Sequence, residues 1–304
     1  MELCEPQTMK QCEDLVKGLV DAHIHAGPSL MAREIDAWQM ACEARQAGYS
    51  AIVVKDHHIP SVAAARIIQD HADVRGLKVF GSIVLNSSVG GLNPKAVEAA
   101  IGFGAAIVWM PTVSCENHAL KHGGRGLKFP SLAQKQKVPE RMVQLLDDRG
   151  NLAPEAITVL EVMAAYPEVA LATGHGNRVE VDAVIRKAAS LGIRRIIATH
   201  PSYMVDAAME DLVAWTSLGA YIEVNAVTSV PSSNFYCIPP PTIAGIIRSL
   251  GPEKIIISSD YGQKGNGSPV AGLHAFLALL VNEGIEPAAI ERMVRDNPSY
   301  LLNL

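Results

Sequence analysis

The sequence predicts an α/β chain folded as a (β/α)8 TIM barrel with a long insertion after strand 4. Three observations predict it. Eight short apolar runs recur, and each is followed by a turn and then by a segment with helical periodicity. The runs begin roughly 25 to 34 residues apart, the size of one βα unit, with a single exception. Hydrophobic residues make up 49% of the chain while aromatics make up only 5%, so the core must be built from Ala, Val, Ile and Leu, as suits parallel strands buried on both faces.

Taken in order, the apolar runs cover 18–24, 51–54, 78–85, 105–110, 169–173, 195–199, 220–224 and 254–259. Between and after them, 35–47, 61–72, 94–102, 154–165, 179–191, 205–218, 241–250 and 269–282 carry apolar residues at three- and four-residue steps, the pattern of a helix with one buried face. Eight such units imply a closed barrel rather than an open sheet, which would show fewer strands and a switch point. The exception in spacing lies between the fourth and fifth runs. The polar stretch 113–152 occupies it, and its end around Asp147-Asp148-Arg149-Gly150 reads as a small hairpin. An insertion after a barrel strand belongs on the catalytic face, so 113–152 is expected to be a lid or substrate loop within one domain spanning 1–304. The run Ser87-Ser88-Val89-Gly90-Gly91 lacks the lysine and spacing of a phosphate loop and reads as a strand-to-helix turn, while Pro239-Pro240-Pro241 fixes the start of a helix.

Composition narrows the function. The net charge of −5 supplies no basic field, so a nucleic-acid partner is not expected. The longest apolar run, 275–281, is too short for a membrane span, and the first ten residues do not resemble a signal peptide. Five cysteines without paired short spacing suggest free thiols in a reducing cytoplasm. The expected partner is a small-molecule substrate, and a homo-oligomer is left open.

Barrel active sites lie at the carboxyl ends of the strands, so the residues just after each apolar run are the informative ones. Run one ends in His23-Ile24-His25, whose imidazoles share a face by strand alternation. Run two continues into Lys55-Asp56-His57-His58, run five into Gly174-His175, run six into Thr199-His200 and run eight into Ser259-Asp260. Six of the ten histidines thus fall at strand ends. Each alone has an ordinary structural explanation. Together His23, His25, His175, His200 and Asp260 put neutral nitrogens and a carboxylate around one mouth, a set suited to Zn2+, or to Mn2+ or Fe2+, with coordination left open for water.

These same residues, in this order, resemble the amidohydrolase superfamily of metal-dependent barrel hydrolases, and 296–304 resembles the helix-ending tail of many members. The resemblance spans nearly the whole chain and implies one or two divalent metal ions. One departure stands out. Members with two metals commonly carry a carboxylated lysine or a glutamate at the end of strand four, whereas here that strand ends Trp109-Met110-Pro111-Thr112. Lys55 stands instead at the end of strand two. It could bridge two metals as a carbamate, anchor a substrate carboxylate as a cation, or serve structure alone. The sequence leaves all three open.

The chemistry implied is a metal-activated water attacking a small molecule, with Asp260 as proton acceptor and donor. A C–N bond of an amide or cyclic amide is the first expectation. Lactone or phosphate ester hydrolysis, decarboxylation on the same site, and a barrel that binds metal without turnover are the alternatives. His57 (expected to face inward), His58, His118, His122, Arg125, Asn225 and Gln263 are the candidate substrate contacts. Arg125 between two glycines would suit an anionic group.

Overall fold

The computed structural model describes residues 15–71, 73–124 and 137–304. Eight strands pair in parallel and in sequence order: β1 (Val20–Ile24), β2 (Ala51–Val54), β3 (Lys78–Val84), β4 (Ala105–Trp109), β5 (Ala170–Ala172), β6 (Ile196–Ala198), β7 (Tyr221–Asn225) and β8 (Ile255–Ser258). Just past β8 the Asp260 N–H donates to the His23 carbonyl and the His25 N–H donates to the Tyr261 carbonyl, both at 2.8 Å. These bonds bring the last strand end back against the first.

The helices are α1 (Ala37–Gln46), α2 (Val62–His71), α3 (Pro94–Gly102), α4 (Glu116–Gly124), α5 (Pro154–Ala164), α6 (Arg178–Ser190), α7 (Met209–Ser217), α8 (Pro240–Leu250), α9 (Pro269–Asn282), α10 (Pro287–Glu291) and α11 (Asn297–Leu301). Strand side chains divide between two apolar clusters, as alternation requires. Val20, Ala22, Val53, Trp109, Ala172, Ile197 and Ile256 pack with one another inside the barrel. Ile52, Val54, Val108, Leu171, Ile222 and Ile257 face outward to Met40, Val97, Leu160, Ile185 and Phe276 of the helices.

Local chemistry sets several starts and stops. Asp36 and Gln39 form a reciprocal capping box on α1, with Oδ1 accepting from the Gln39 N–H at 2.7 Å and Gln39 Oε1 accepting from the Asp36 N–H at 3.0 Å. Asn177 and Glu180 do the same for α6, whose cap thus begins two residues after His175. In the C-terminal tail Asn297 donates to the carbonyls of Pro252 (2.7 Å) and Ile255 (2.6 Å), tying the last helix to the start of β8. Cys42 and Cys115 carry free thiols. Among the described residues no helix is long and apolar enough to cross a membrane.

The strands and the eight βα helices fall where the sequence pattern puts them. The difference is α4, inside a stretch read from sequence as a polar loop. It is only nine residues long and is held by tertiary bonds: Asn117 Nδ2 donates to the carbonyls of His175 and Met204 at 3.0 Å, and Lys121 pairs with Asp206. At the far end of the insertion, Leu146 and Leu152 bridge as an antiparallel pair, and the Asp147 N–H donates to the Asn151 carbonyl at 2.7 Å, the small hairpin expected there.

Candidate metal centre

The pairing of β1 with β2 is irregular between Asp21 and Ile24. That irregularity lets Val20 and Ala22 pack inside the barrel while His23 and His25 also turn toward its mouth, a use of a bulge to re-aim side chains. His25 Nδ1 lies 3.0 Å from the Lys55 carbonyl, so this nitrogen carries the proton and Nε2 keeps its lone pair. His23 Nδ1 meets Glu223 Oε1 at 2.9 Å, which likewise leaves Nε2 for the centre. His200 Nδ1 meets Asn225 Oδ1 at 2.7 Å, and His175 Nδ1 meets His118 Nδ1 at 2.8 Å. His175 Nε2 is buried and has no hydrogen-bond partner among the described residues.

Asp260 Oδ1 lies 3.1 Å from both His23 Nε2 and His25 Nε2, and Oδ2 lies 3.8 Å from His200 Nε2. Two donors of one tetrahedral ion, each about 2.1 Å from it, stand about 3.4 Å apart. The separations within the His23, His25 and Asp260 group therefore match shared coordination, and so do the donor types. A divalent ion fits this set, and His200 and the orphaned His175 nitrogen are the further donors at hand.

The backbone is bent to deliver these groups. His200 and Asp260 adopt φ of 49° and 51°, a left-handed conformation that non-glycine residues avoid and that recurs at functional sites. Gly174, just before His175, has φ 69°, and a Cβ there would sit 2.4 Å from the carbonyl oxygens of Met110 and Pro111. Only glycine allows that approach.

Electrostatics keep most of the imidazoles neutral. Burial, with Arg33 nearby, holds His25 down to about 3, and burial brings His200 down to about 4 despite the neighbouring Asp260. Burial pushes His175 and His57 well below the ordinary value. His23 alone is raised: burial and Lys55 oppose its charge, but Asp260 and Glu223 flank it and prevail. Burial would raise Asp260 too, yet His23, His25 and His200 hold its carboxyl well below the usual range.

Lys55 is buried at the same place. Its Nζ lies 3.0 Å from His23 Nε2 and 4.2 Å from the centre of the Trp109 ring, and burial lowers it to about 8. His25, Lys55, His57, His175, His200 and Asp260 line one pocket. His122 and Gln263 also face it, with Gln263 Nε2 donating to the Asp260 carbonyl at 2.7 Å. His57 turns into the pocket with Nδ1 2.8 Å from Thr112 Oγ1, while His58 is turned toward Asp56. His118 and Asn225 stand one layer back, behind His175 and His200. Arg125 lies outside the described residues.

Sequence reasoning missed Glu223, Arg33 and Tyr203. Glu223 left a trace, as an acid within the apolar run 220–224, two residues from Asn225 on the same face. Arg33 and Tyr203 lie in loops and left none. Both line the pocket.

Residues 18–223 match a family model described as a family of unknown function, DUF6282. No curated protein matches the chain by sequence. Solved structures do match over nearly its full length. An amidohydrolase from Pseudomonas aeruginosa superposes with TM-score 0.64 at 13% identity, covering 97% of this chain and 98% of the other. A mutant N-acetyl-D-glucosamine-6-phosphate deacetylase from Mycobacterium smegmatis gives 0.52 at 13%, covering 95% and 77%. The inactive dihydroorotase-like domain of a multifunctional protein from Chaetomium thermophilum gives 0.55 at 16%, covering 95% and 80%. At these identities the likeness establishes the barrel fold that such hydrolases share, and the inactive domain among them shows that the barrel by itself does not guarantee turnover.

Proposed function

The chain belongs to the family DUF6282, and from that starting point we propose that it is a metal-dependent hydrolase acting on a C–N bond of a small amide or cyclic amide. One observation carries the reading. His23, His25 and His200 each have Nδ1 tied to an oxygen acceptor while Nε2 points to the Asp260 carboxylate, the arrangement in which outer partners orient metal-binding imidazoles. A structural ion would be closed off by four protein ligands, whereas this group opens onto a pocket. The names of two fold neighbours, an amidohydrolase and a deacetylase, support the choice of bond.

His23, His25, His200 and Asp260 would hold the ion, with His175 as a further ligand. When bound, the ion supplies a Lewis acid that acidifies water and polarises a carbonyl oxygen. The protein's own part is proton handling and placement. Asp260, ionised and aimed into the pocket, takes a proton from the attacking water and returns it to the leaving nitrogen as the C–O bond forms and the C–N bond breaks. Gln263 fixes the Asp260 backbone through its 2.7 Å bond. His57, held by the 2.8 Å hydrogen bond between its Nδ1 and Thr112 Oγ1, lines the pocket where it can contact substrate. The insertion carrying α4 closes one side of the pocket through His122 and, behind it, His118. As a carbamate Lys55 would offer two oxygens to a second ion, and as an amine it would leave a single-ion centre.

The test is a substrate screen with the zinc- and manganese-reconstituted enzyme across amides, cyclic amides, lactones and phosphate esters, run beside Asp260→Asn. Turnover of a C–N substrate that Asp260→Asn abolishes without altering the circular dichroism is the expected result. Turnover confined to lactones or phosphate esters would move the assignment to those bonds. Full activity in Asp260→Asn would remove its role in proton transfer.

A further inference from the structure

Lys55, the cation that sequence places nearest the centre, is occupied by His23 and the Trp109 face. Arg33 is the other buried cation of the pocket wall, and its guanidinium is under-used. The side chain is 4% exposed, yet among the described residues Nε has no hydrogen-bond partner. Among the described residues Nη2 reaches only the Met31 sulfur and Asp56 Oδ2, each at 3.8 Å. Asp56 is turned to its own loop: Oδ1 accepts from the N–H groups of His58 (2.8 Å) and Ile59 (3.1 Å), and Oδ2 has no hydrogen bond. The pair balances charge without satisfying donors. A buried guanidinium with unmade hydrogen bonds is costly unless a ligand completes them.

The backbone holds Arg33 in place. Arg33 bridges Gln263 as an antiparallel pair, and the Glu34 N–H donates to the Gly262 carbonyl at 2.9 Å. Gly262 itself must be glycine, because with φ 117° a Cβ would fall 1.5 Å from the His25 carbonyl oxygen. The loop after β1 is thereby strapped to the loop after β8, beside Asp260. Tyr203, Phe235, Met204 and Val227 also line the pocket and offer apolar contact to the body of a ligand.

We propose that Arg33 is a substrate-binding residue that takes a carboxylate on the substrate, so that the molecule hydrolysed is a small carboxylate carrying its scissile bond a short distance from the acid group. The planar guanidinium fork matches a carboxylate by two parallel hydrogen bonds. Asp56 already offsets part of the charge, which favours a single anionic charge over a phosphate dianion. This rests on the reading of the pocket as a substrate site, but it can fail separately from it.

The experiment is calorimetric titration of the full-length protein, with the metal it carries, using benzoate, succinamate, succinamide and inorganic phosphate as probes. Wild type, Arg33→Gln and Arg33→Lys are compared, with thermal unfolding confirming that each is folded. Benzoate or succinamate should bind the wild type and weaken at least about tenfold in Arg33→Gln, with succinamide the same in both. Arg33→Lys keeps the charge and loses the fork, so it should fall between them; if Arg33→Gln does not fold, a loss of carboxylate affinity in Arg33→Lys with succinamide unchanged carries the test. Equal carboxylate affinity in wild type and variants, no carboxylate binding at all, or tighter Arg33-dependent binding of phosphate would each overturn the proposal. Arg33-dependent carboxylate binding by a protein that hydrolyses nothing would leave this inference standing and remove the hydrolase reading.

Discussion

Glu223 offers the sharpest test of the centre's outer layer. Its Oε1 accepts from His23 Nδ1 at 2.9 Å and from Ser258 Oγ at 2.7 Å, and the residue is fully buried inside β7. Burial alone would raise this carboxyl, yet His23, His200 and the Ser258 hydroxyl bring it down to about 2 from the usual 4.5. That displacement corresponds to roughly 3 kcal/mol net in favour of the anion, left over after burial has opposed it. Outer partners of metal-binding histidines typically change metal affinity by about 10- to 100-fold. Glu223→Gln keeps an acceptor for His23 and removes the charge, so it should weaken Zn2+ about tenfold; Glu223→Ala removes both and should approach 100-fold. Competition against a chromophoric chelator reads both values. Zn2+ affinity unchanged in a folded Glu223→Ala would refute the argument that Glu223 prepares His23 for a metal.

Three further outcomes follow from other parts of the structure. Asp21 is fully buried, accepts from the Ser259 N–H at 3.0 Å, leaves Oδ2 without a hydrogen bond, and is raised by burial to about 7. The folded state therefore holds its proton where the unfolded chain has lost it, so stability is fullest below about pH 4 as far as this group is concerned and falls by up to about 4 kcal/mol as pH rises to 7. Urea unfolding from pH 4.5 to 7.5 should show a flatter profile for Asp21→Asn than for wild type, and parallel profiles would contradict this. Gly174→Ala places its Cβ 2.4 Å from two carbonyl oxygens at a positive φ, so it should cost at least about 2 kcal/mol and lower the thermal midpoint by several degrees. For Lys55, carbon-13 bicarbonate should give a carbamate resonance that vanishes in Lys55→Ala if the residue bridges two ions, and no resonance would leave the single-ion centre.

The barrel was legible because its signals are local and repeated. The run Ile255–Ser258 announces a strand as a short, continuous, β-branched apolar stretch and Pro240–Leu250 a helix by its three- and four-residue apolar steps, and the same rhythm recurs around the ring. The inner layer of the site was legible because strand ends are fixed points: His25, His175, His200 and Asp260 fall just beyond them. What could not be read depends on loops and long-range contact. Helix α4 exists because Asn117 finds carbonyls roughly 60 to 90 residues away, and no local pattern encodes that. Arg33 reaches the pocket only because its loop is strapped to Gln263 from the far end of the chain. Glu223 sits between, visible as an acid in an apolar run but meaningful only once His23 is seen across the barrel. The irregular register that re-aims β1 could not have been anticipated from alternation, although the shared face of His23 and His25 could.

The central claim is that these side chains hold a divalent metal. Elemental analysis of the purified full-length chain after incubation with Zn2+ and desalting tests it most directly, with a His23→Ala, His25→Ala variant alongside. The account predicts about one or two ions per wild-type chain and a marked loss in the variant, since removing two of the converging imidazoles dismantles the site. A folded wild type that retains no metal, or a variant that retains as much as the wild type, would contradict it.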